Sequence, residues 1–263
     1  MTRVVSGAVL IALAVVIVWT APDWLFFAAA MLIVLLGARE LATLARASAL
    51  AVVDGPAFVA AALTMAALGA PGINGRTIEV ALMAALLGVG LVTLGAWRGE
   101  PHALASVSAS LFAALYLGLP VGALVAVRHL GGPQSLFLLM VTIIVSDSMQ
   151  YYTGRLFGRR PLAPIVSPKK TIEGAVGGFV FGTAAFATIG GWWLPQMPVG
   201  LRIGLGLSIV ALGIAGDLFE SMLKRSANVK DSSSLIPGHG GILDRIDALL
   251  FAAPVYYIVL RYV

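Results

Sequence analysis

The strongest constraint on this chain is a series of apolar segments, most of them near twenty residues long, joined by short connections. A helix of about 20 apolar residues crosses the hydrocarbon core of a bilayer. With 263 residues, of which 60% are hydrophobic and 11% charged, the chain has room for about nine such helices and for no soluble domain. The sequence therefore predicts an all-α, polytopic integral membrane helix bundle. The predicted spans are residues 4–20, 24–38, 55–70, 77–97, 104–127, 135–153, 172–194, 202–223 and 246–262.

The positive charges indicate how these spans are oriented. All 17 lysines and arginines except Arg76, Arg128, Arg202 and Arg261 fall on the same side of the membrane as the N-terminus. Because cytoplasmic loops carry the excess of Lys and Arg, the N-terminus is predicted to be cytoplasmic and the C-terminus external. We therefore expect a multi-pass protein of the cell (inner, cytoplasmic) membrane. Basic loops beside anionic lipid also explain the pI of about 9.8 without nucleic-acid binding.

The two halves of the chain differ in chemical content. Residues 1–130 are rich in Ala, Leu, Val and Gly, and we interpret them as scaffold helices. Residues 131–263 hold the polar stretches, and we interpret them as the catalytic helices of one continuous membrane domain. The absence of cysteine excludes disulfides and thiolate metal sites. Five glycines of the first half are interpreted as points of close helix packing: Gly88, Gly90, Gly95, Gly118 and Gly122.

The longest polar stretch covers residues 217–247. On a helix, Asp217, Glu220, Ser221 and Lys224 share one face, because they are spaced i, i+3, i+4 and i+7. A basic loop and the turn Pro237-Gly238-His239-Gly240-Gly241 follow, and Asp244 and Asp247 can then share a face of the next helix. Carboxylates are hard ligands for Mg²⁺, cationic side chains neutralise phosphates, and glycines allow close approach of the backbone. This combination suits a divalent cation bound with a polyphosphate.

A second polar stretch lies between the sixth and seventh predicted spans. Asp147 sits about two turns inside a helix end, where an ionisable group needs a partner or a water-filled cavity. A salt bridge to Arg155 would satisfy it without any function. Lys169, Lys170 and Thr171 precede the next helix, and they can be a phosphate clamp at a helix N-terminus or a helix cap beside a basic pair.

These motifs together resemble those of the phosphatidate cytidylyltransferases, also called CDP-diacylglycerol synthases. The resemblance covers about residues 135–263, and Met149, Gln150 and Ser233 depart from the family pattern. Its first part is Asp147-x3-Tyr151-x2-Gly154-Arg155 with Lys169-Lys170-Thr171. Its second part is Ser221-x2-Lys224-Arg225-x4-Lys230-Asp231 and Pro237-x-His239-Gly240-Gly241-x2-Asp244-Arg245-x-Asp247.

The resemblance implies the reaction of CTP with phosphatidate to give CDP-diacylglycerol and pyrophosphate. The lipid phosphate is the nucleophile, so the protein supplies alignment and charge stabilisation and needs no nucleophile of its own. Asp217, Asp244, Lys170 and Lys224 are implied as the catalytic residues. The cofactor is implied to be Mg²⁺, as one ion or two, with a monovalent second ion left open. The implied partners are CTP, phosphatidate, the bilayer and a second copy in a homodimer, with no nucleic acid.

The resemblance also assigns roles to individual residues. Asp217 and Asp244 are the implied metal ligands, and Asp247 and Asp147 either join them or orient Arg245 or Lys224. His239 either protonates the leaving pyrophosphate or positions its turn. Glu220 and Ser221 either contact ligand or pack helices. The residues implied to contact CTP or lipid phosphate are Lys169, Lys170, Thr171, Ser221, Lys224, Arg225, Lys230, His239, Gly240, Gly241 and Arg245.

Three other functions remain open at this point. A CTP-using prenol or dolichol kinase would use similar carboxylates and lysines but would need a base for a neutral hydroxyl. A transporter would line a path with Asp147, Asp217 and Glu220, although the charges cluster at one membrane face. A paralogue could keep the fold while using another phospholipid-like acceptor or lacking activity, and Met149 with Gln150 keeps this hypothesis open.

Overall fold

The computed structural model describes residues 2–70, 76–99, 101–236, 238 and 240–262, and most of them are helical. This confirms the predicted all-α class. Most helices follow the predicted spans within a few residues, but the second helix continues to Ala47, and the spans predicted at 104–127 and 135–153 lie in one helical segment, Ala103–Phe157. The elements are α1 (Thr2–Thr20), α2 (Asp23–Ala47), α3 (Asp54–Gly69), α4 (Arg76–Ala96), α5 (Ala103–Ala113), a π-helical turn (Ala114–Gly118), α6 (Leu119–Phe157), β1 (Pro161–Ala163), β2 (Ser167–Thr171), α7 (Ile172–Trp193), α8 (Val199–Ser226) and α9 (Leu243–Tyr262).

Five helical segments of the described residues are long and apolar enough to cross a membrane. They are Asp23–Ala47, Thr77–Ala96, Ala103–Phe157, Ile172–Trp193 and Val199–Ser226. Two shorter apolar helices, Ile11–Thr20 and Asp54–Gly69, accompany them. The membrane-type fold is thereby confirmed, and the further spans of the nine-span arrangement stay a prediction.

Helix α6 contains a break that the sequence signals. Gly132 has φ 74° and ψ 179°, which is outside helical geometry, and Pro133 follows it. Proline has no backbone N–H and disfavours the helical conformation in the residue before it. The break falls between the two spans predicted at residues 104–127 and 135–153.

The chain divides into two compact units. The first comprises the residues up to Ala126 together with Leu223–Arg245, and the second comprises Val127–Met222 together with the residues from Ile246 onward. The predicted site residues are therefore shared between two units. Asp244 and Lys224 belong to the first, and Asp147, Lys170 and Asp217 belong to the second.

The first unit is held by close packing of α3 against the π-helical turn. A Cβ on Gly118 would collide with the Thr64 hydroxyl, and one on Gly122 would lie 2.9 Å from the Met65 carbonyl oxygen, so both positions need glycine. The packing role predicted for these two glycines is confirmed. It is wrong for Gly88, Gly90 and Gly95, since no described atom lies within 4 Å of a Cβ built at any of them.

The second unit packs α8 closely against α9. A Cβ on Gly216 would lie 2.5 Å from the backbone oxygen of Asp247 and 3.2 Å from Cβ of Phe251. The rings of Phe219 and Phe251 pack beside this point, with centroids 5.2 Å apart. Because Gly216 directly precedes Asp217, this contact fixes the backbone from which the Asp217 side chain projects.

A short antiparallel β-hairpin connects α6 to α7 and was not predicted. Pro161 pairs with Thr171, and Ala163 pairs with Ser167. Lys169 and Lys170 consequently lie on a strand rather than in a loop. Side chains alternate across a strand, so the two lysines point to opposite faces of the hairpin.

Candidate functional site

Lys170 and Asp217 form a salt bridge in the second unit, with Lys170 Nζ 2.5 Å from Asp217 Oδ2. The Ser221 hydroxyl donates to the other carboxylate oxygen of Asp217 at 3.4 Å. The side chains of Lys170 and Asp217 keep 21% and 30% of their exposure, so both remain accessible to a ligand. The structure thus brings together three residues that the two sequence motifs placed separately.

Asp147 lies close to this pair. Both the Lys170 ammonium and the Asp217 carboxylate are near enough to act on its charge. The Nε2 group of Gln150 donates to Asp147 Oδ1 at 2.9 Å. Arg155, the alternative partner considered for Asp147, donates instead to the Tyr151 hydroxyl at 3.3 Å. Asp147, Lys170 and Asp217 therefore form one cluster, which we call the Asp217 cluster.

The hairpin is fixed at the start of α7. The Thr171 hydroxyl accepts a hydrogen bond from the Gly174 N–H at 3.1 Å, which is the predicted helix cap. Glu173 accepts from the backbone N–H groups of Arg159 and Arg160 at 2.9 and 3.2 Å. These contacts hold both ends of the hairpin and so determine where Lys170 reaches. Lys169 is exposed.

Lys224 and Asp244 form a second salt bridge, in the first unit, with Lys224 Nζ 2.6 Å from Asp244 Oδ1. Their side chains are only 11% and 7% exposed. The other oxygen, Oδ2, accepts from the Ser232 N–H at 3.0 Å, the Ser232 hydroxyl at 2.7 Å and the Gly241 N–H at 2.8 Å. Protein donors therefore engage both oxygens of Asp244.

These hydrogen bonds set the ionisation of Asp244. Burial alone raises the pKa of this carboxyl group, but Lys224, the Gly241 amide and both donors of Ser232 outweigh burial and hold the pKa below its usual range. Asp244 is therefore an anion throughout the physiological pH range.

A buried acidic residue that the sequence analysis missed adjoins Asp244. Glu40 of α2 is 5% exposed. Its Oε2 accepts from the Ser232 hydroxyl and the Leu243 N–H, both at 2.9 Å. Its Oε1 accepts from the Ser233 hydroxyl at 2.7 Å and the Ile242 N–H at 2.9 Å.

Glu40 escaped notice because the second span was predicted to end at residue 38, whereas α2 continues to Ala47. The apolar spacing of Val34, Ala38, Leu41 and Leu44, all buried, extends past that boundary. Following this spacing would have placed Glu40 inside a helix.

The glycine-rich turn approaches these two carboxylates closely. Gly238 and Gly240 have φ values of 78° and 77°, which only glycine adopts without strain. A Cβ on Gly240 would lie 2.5 Å from Asp244 Oδ2, and one on Gly241 would collide with the Ser232 hydroxyl and the Glu40 carboxylate. The backbone of the turn therefore makes the predicted close approach, and the groups that it approaches are side chains of this chain. Pro237 and His239 lie outside the described residues.

Three of the remaining predicted residues, Arg225, Lys230 and Arg245, are exposed. Arg225 donates to the Val229 carbonyl at 3.0 Å. Asp247 is half-buried with its carboxylate accepting from the Ala248 N–H at 2.8 Å. Glu220 is fully buried, which favours a helix-packing role over ligand contact.

The carboxylates differ in their suitability for Mg²⁺. Across the described ranges, no three His, Asp or Glu side chains come together to hold a metal ion. Mg²⁺ commonly binds one or two carboxylates and completes its shell with water and substrate phosphates. Asp217 fits that requirement because its side chain keeps 30% of its exposure, and Asp147 is near enough for the two charges to interact. Asp244 fits it less well, since its side chain is only 7% exposed and four protein donors engage its two oxygens.

Residues 1–263 match the family described as Cytidylyltransferase family. The chain is similar to three proteins named phosphatidate cytidylyltransferase. The one from Bacillus subtilis (strain 168) is 39% identical over 189 residues, which is 70% of this chain and 68% of that protein. The one from Helicobacter pylori (strain ATCC 700392 / 26695) is 35% identical over 182 residues, which is 68% of this chain and 64% of that protein. The one from Aquifex aeolicus (strain VF5) is 41% identical over 127 residues, which is 48% of this chain and 46% of that protein. The matched regions thus span from about half to two thirds of these relatives.

Proposed function

The chain belongs to the cytidylyltransferase family, and we propose that it transfers the cytidylyl group of CTP to the phosphate of phosphatidate. In this reaction a phosphate oxygen of the lipid forms a bond to the α-phosphorus of CTP, and the bond between that phosphorus and the bridging oxygen breaks. Pyrophosphate leaves with the electron pair. The products are CDP-diacylglycerol and pyrophosphate, and no covalent intermediate with the protein is required.

The Lys170–Asp217 pair is the observation that carries this proposal. Both nucleophile and electrophile are anionic, so the protein must hold cations where phosphate oxygens approach. Lys170 supplies one on a fixed hairpin, and its carboxylate partner keeps the ammonium oriented. Lys224 is held in the same way by Asp244 in the other unit. We assign Lys170 and Lys224 to phosphate groups, with Lys169, Arg225, Lys230 and Arg245 as further exposed cations.

We propose that Asp217, with Asp147, holds Mg²⁺ when substrates bind. The ion would neutralise charge on the CTP phosphates. Asp217 would hold the ion, and the Lys170 ammonium beside it would contact phosphate. Asp244 would be a ligand of a second ion, divalent or monovalent, and Asp247 is an alternative ligand. At Asp244 such an ion would have to displace Lys224.

The placement in the membrane is also proposed. Nine spans with a cytoplasmic N-terminus would put the Lys170–Asp217 and Lys224–Asp244 pairs at the cytoplasmic side of the cell membrane. CTP is present there, and phosphatidate can enter sideways from the bilayer. The lysine and arginine distribution supports this arrangement. A homodimer is proposed from the family resemblance, and light scattering of the detergent complex would test it.

The absence of cysteine makes the topology directly testable. We expect Gln196→Cys to react with a membrane-impermeant maleimide in intact cells, and Ser48→Cys to react only after the cells are opened. The reverse pattern would contradict the proposed orientation.

The reaction is best tested with CTP labelled at either the α- or the γ-phosphorus. Purified protein in detergent with Mg²⁺ and phosphatidate should move the α-label into lipid and the γ-label into pyrophosphate. A lipid kinase would instead move the γ-label into lipid. Folded protein that transfers neither label to phosphatidate, over a range of Mg²⁺ concentrations, would contradict the proposal.

Variants locate the site within the same assay. We expect Lys170→Met to abolish transfer and Asp217→Asn to raise the Mg²⁺ concentration needed for half-maximal rate. Arg46→Met and Asp54→Asn are matched controls, because Arg46 and Asp54 form a similar pair at 2.7 Å with side chains 46% and 48% exposed. Both controls should keep the rate of the unmodified protein.

A further inference from the structure

We propose that Glu40 is a positioning residue that holds the loop between α8 and α9 in the conformation that orients Asp244 and Lys224. The structural part of this proposal stands by itself, and its effect on catalysis rests on the proposed function. Glu40 lies in the half of the chain that the sequence analysis interpreted as scaffold.

The Glu40 carboxylate is fully engaged by hydrogen-bond donors. Each of its two oxygens accepts two hydrogen bonds, all between 2.7 and 2.9 Å. A buried carboxylate is costly unless donors replace its lost hydration, and four donors supply that replacement. All four donors belong to residues 232–243, which are 192 or more positions away in sequence. Glu40 is thus built to hold this one loop.

Glu40 also contacts the start of α9, which begins at Leu243. The first N–H groups of a helix have no partner within it, and they carry the positive end of the helix dipole. Glu40 accepts from two such groups, on Ile242 and Leu243. A side chain of α2 therefore caps α9, and Asp244 lies in the first turn that this cap fixes.

The Ser232 hydroxyl lies between the carboxylates of Glu40 and Asp244. It is 2.9 Å from Glu40 Oε2 and 2.7 Å from Asp244 Oδ2. One hydroxyl hydrogen serves two acceptors, so the positions of Glu40 and Asp244 are coupled. Asp244 in turn holds the Lys224 ammonium at 2.6 Å. A chain of contacts therefore runs from Glu40 through Ser232 and Asp244 to Lys224.

Ser233 strengthens this interpretation. It stands where the family pattern has glycine, and its hydroxyl donates to Glu40 Oε1 at 2.7 Å. It also accepts from the Leu235 N–H at 3.1 Å. The Ser233 hydroxyl is therefore an additional donor to Glu40. The contacts of Glu40 with Ser232, Ile242 and Leu243 do not require it. We expect its removal to have a small effect.

The decisive variant is Glu40→Gln. The amide keeps the size of the side chain but replaces one acceptor oxygen with an NH₂ group that faces donors already present. A lost acceptor leaves buried N–H groups unsatisfied, which is enough to change a local opening equilibrium by about tenfold or more. Glu79→Gln is the matched control, because Glu79 is exposed in the first turn of α4.

Hydrogen–deuterium exchange of the purified full chain reads the structural effect directly. In Glu40→Gln, segment 232–243 should exchange at least about tenfold faster, while α4 exchanges as in the unmodified protein. Ser233→Gly should give a smaller increase, and Glu79→Gln none. Unchanged exchange of segment 232–243 in Glu40→Gln would overturn the proposal. If Glu40→Gln does not fold, Ser232→Ala and Ser233→Gly decide by the same measurement.

Kinetics then separate positioning from general stability. We expect Glu40→Gln to lower kcat/KM for CTP by at least about tenfold at a temperature where the protein is fully folded, and Ser233→Gly to lower it by less than about threefold. Kinetics identical to those of the unmodified protein, with the loop loosened, would overturn the catalytic role. If the unmodified chain transfers no cytidylyl group, the proposed function fails, and exchange alone still decides whether Glu40 holds the loop.

Discussion

The Nε2 group of Gln150 donates a hydrogen bond to Asp147 Oδ1 at 2.9 Å, and it lies 3.3 Å from the Ser146 hydroxyl. A residue that departs from the family pattern thus contacts a carboxylate of the Asp217 cluster. Gln150 also fills space beside α7, where a Cβ on Gly178 would lie 2.5 Å from Gln150 Cγ. The departure is therefore accommodated by a glycine on the facing helix.

Gln150→Ala should weaken the positioning of Asp147 without abolishing the reaction. A single hydrogen bond to a charged group contributes about 1.5–3 kcal/mol, and the Lys170 ammonium still acts on the Asp147 charge when this bond is lost. We expect kcat/KM to fall by roughly two- to tenfold, measured by transfer of α-labelled CTP to phosphatidate. Gln196→Ala, at an exposed loop position, is the control. A complete loss of activity in folded Gln150→Ala would contradict a supporting role.

The lowered pKa of Asp244 predicts the pH range in which this residue stabilises the protein. A carboxyl group whose pKa is lower in the folded state stabilises that state fully above its unfolded pKa, near 4, and loses the effect as pH falls through the folded value. The difference in thermal midpoint between the unmodified protein and Asp244→Asn should therefore be constant from pH 8 to pH 5 and shrink below about pH 4. A difference that shrinks already between pH 7 and pH 5 would contradict this assignment.

The sequence predicted the helices and the candidate site residues for different reasons, and it did not predict how those residues pair. Helix positions follow from apolar length and local spacing, so α3, α4 and α7 appear within a few residues of their predicted bounds. The motif resemblance implied Lys170 and Lys224 as phosphate contacts and Asp217 and Asp244 as metal ligands, but it did not predict that these residues form two salt bridges. Glu40 belongs to no quoted motif, and its donors lie at positions 232–243, far away in the sequence. Likewise the β-hairpin holds Lys170 by pairings that no local apolar pattern encodes.

The Lys224–Asp244 and Arg46–Asp54 ion pairs should contribute very differently to stability. Lys224→Met leaves the Asp244 carboxylate buried without its cation, and breaking a buried pair typically costs about 3–5 kcal/mol. Arg46→Met removes an exposed pair, and such pairs contribute about 0–1 kcal/mol. Thermal unfolding in one detergent should therefore show a large decrease for Lys224→Met and almost none for Arg46→Met. Equal decreases would mean that Asp244 relaxes toward water when Lys224 is lost.

Gly241 should be the most sensitive glycine of the turn to a single methyl group. A Cβ there would overlap the Glu40 carboxylate and the Ser232 hydroxyl, so Gly241→Ala must push apart the groups that hold Asp244. We expect a lower thermal midpoint and a loss of transfer activity greater than about tenfold, because overpacking typically costs about 1–3 kcal/mol. Gly204→Ala is the matched control, since nothing lies within 4 Å of a Cβ at that position of α8. Alanine is the better helix former, so this control should leave stability unchanged or raise it by up to about 1 kcal/mol. A Gly241→Ala variant as stable and active as Gly204→Ala would show that the turn can open without disturbing Asp244.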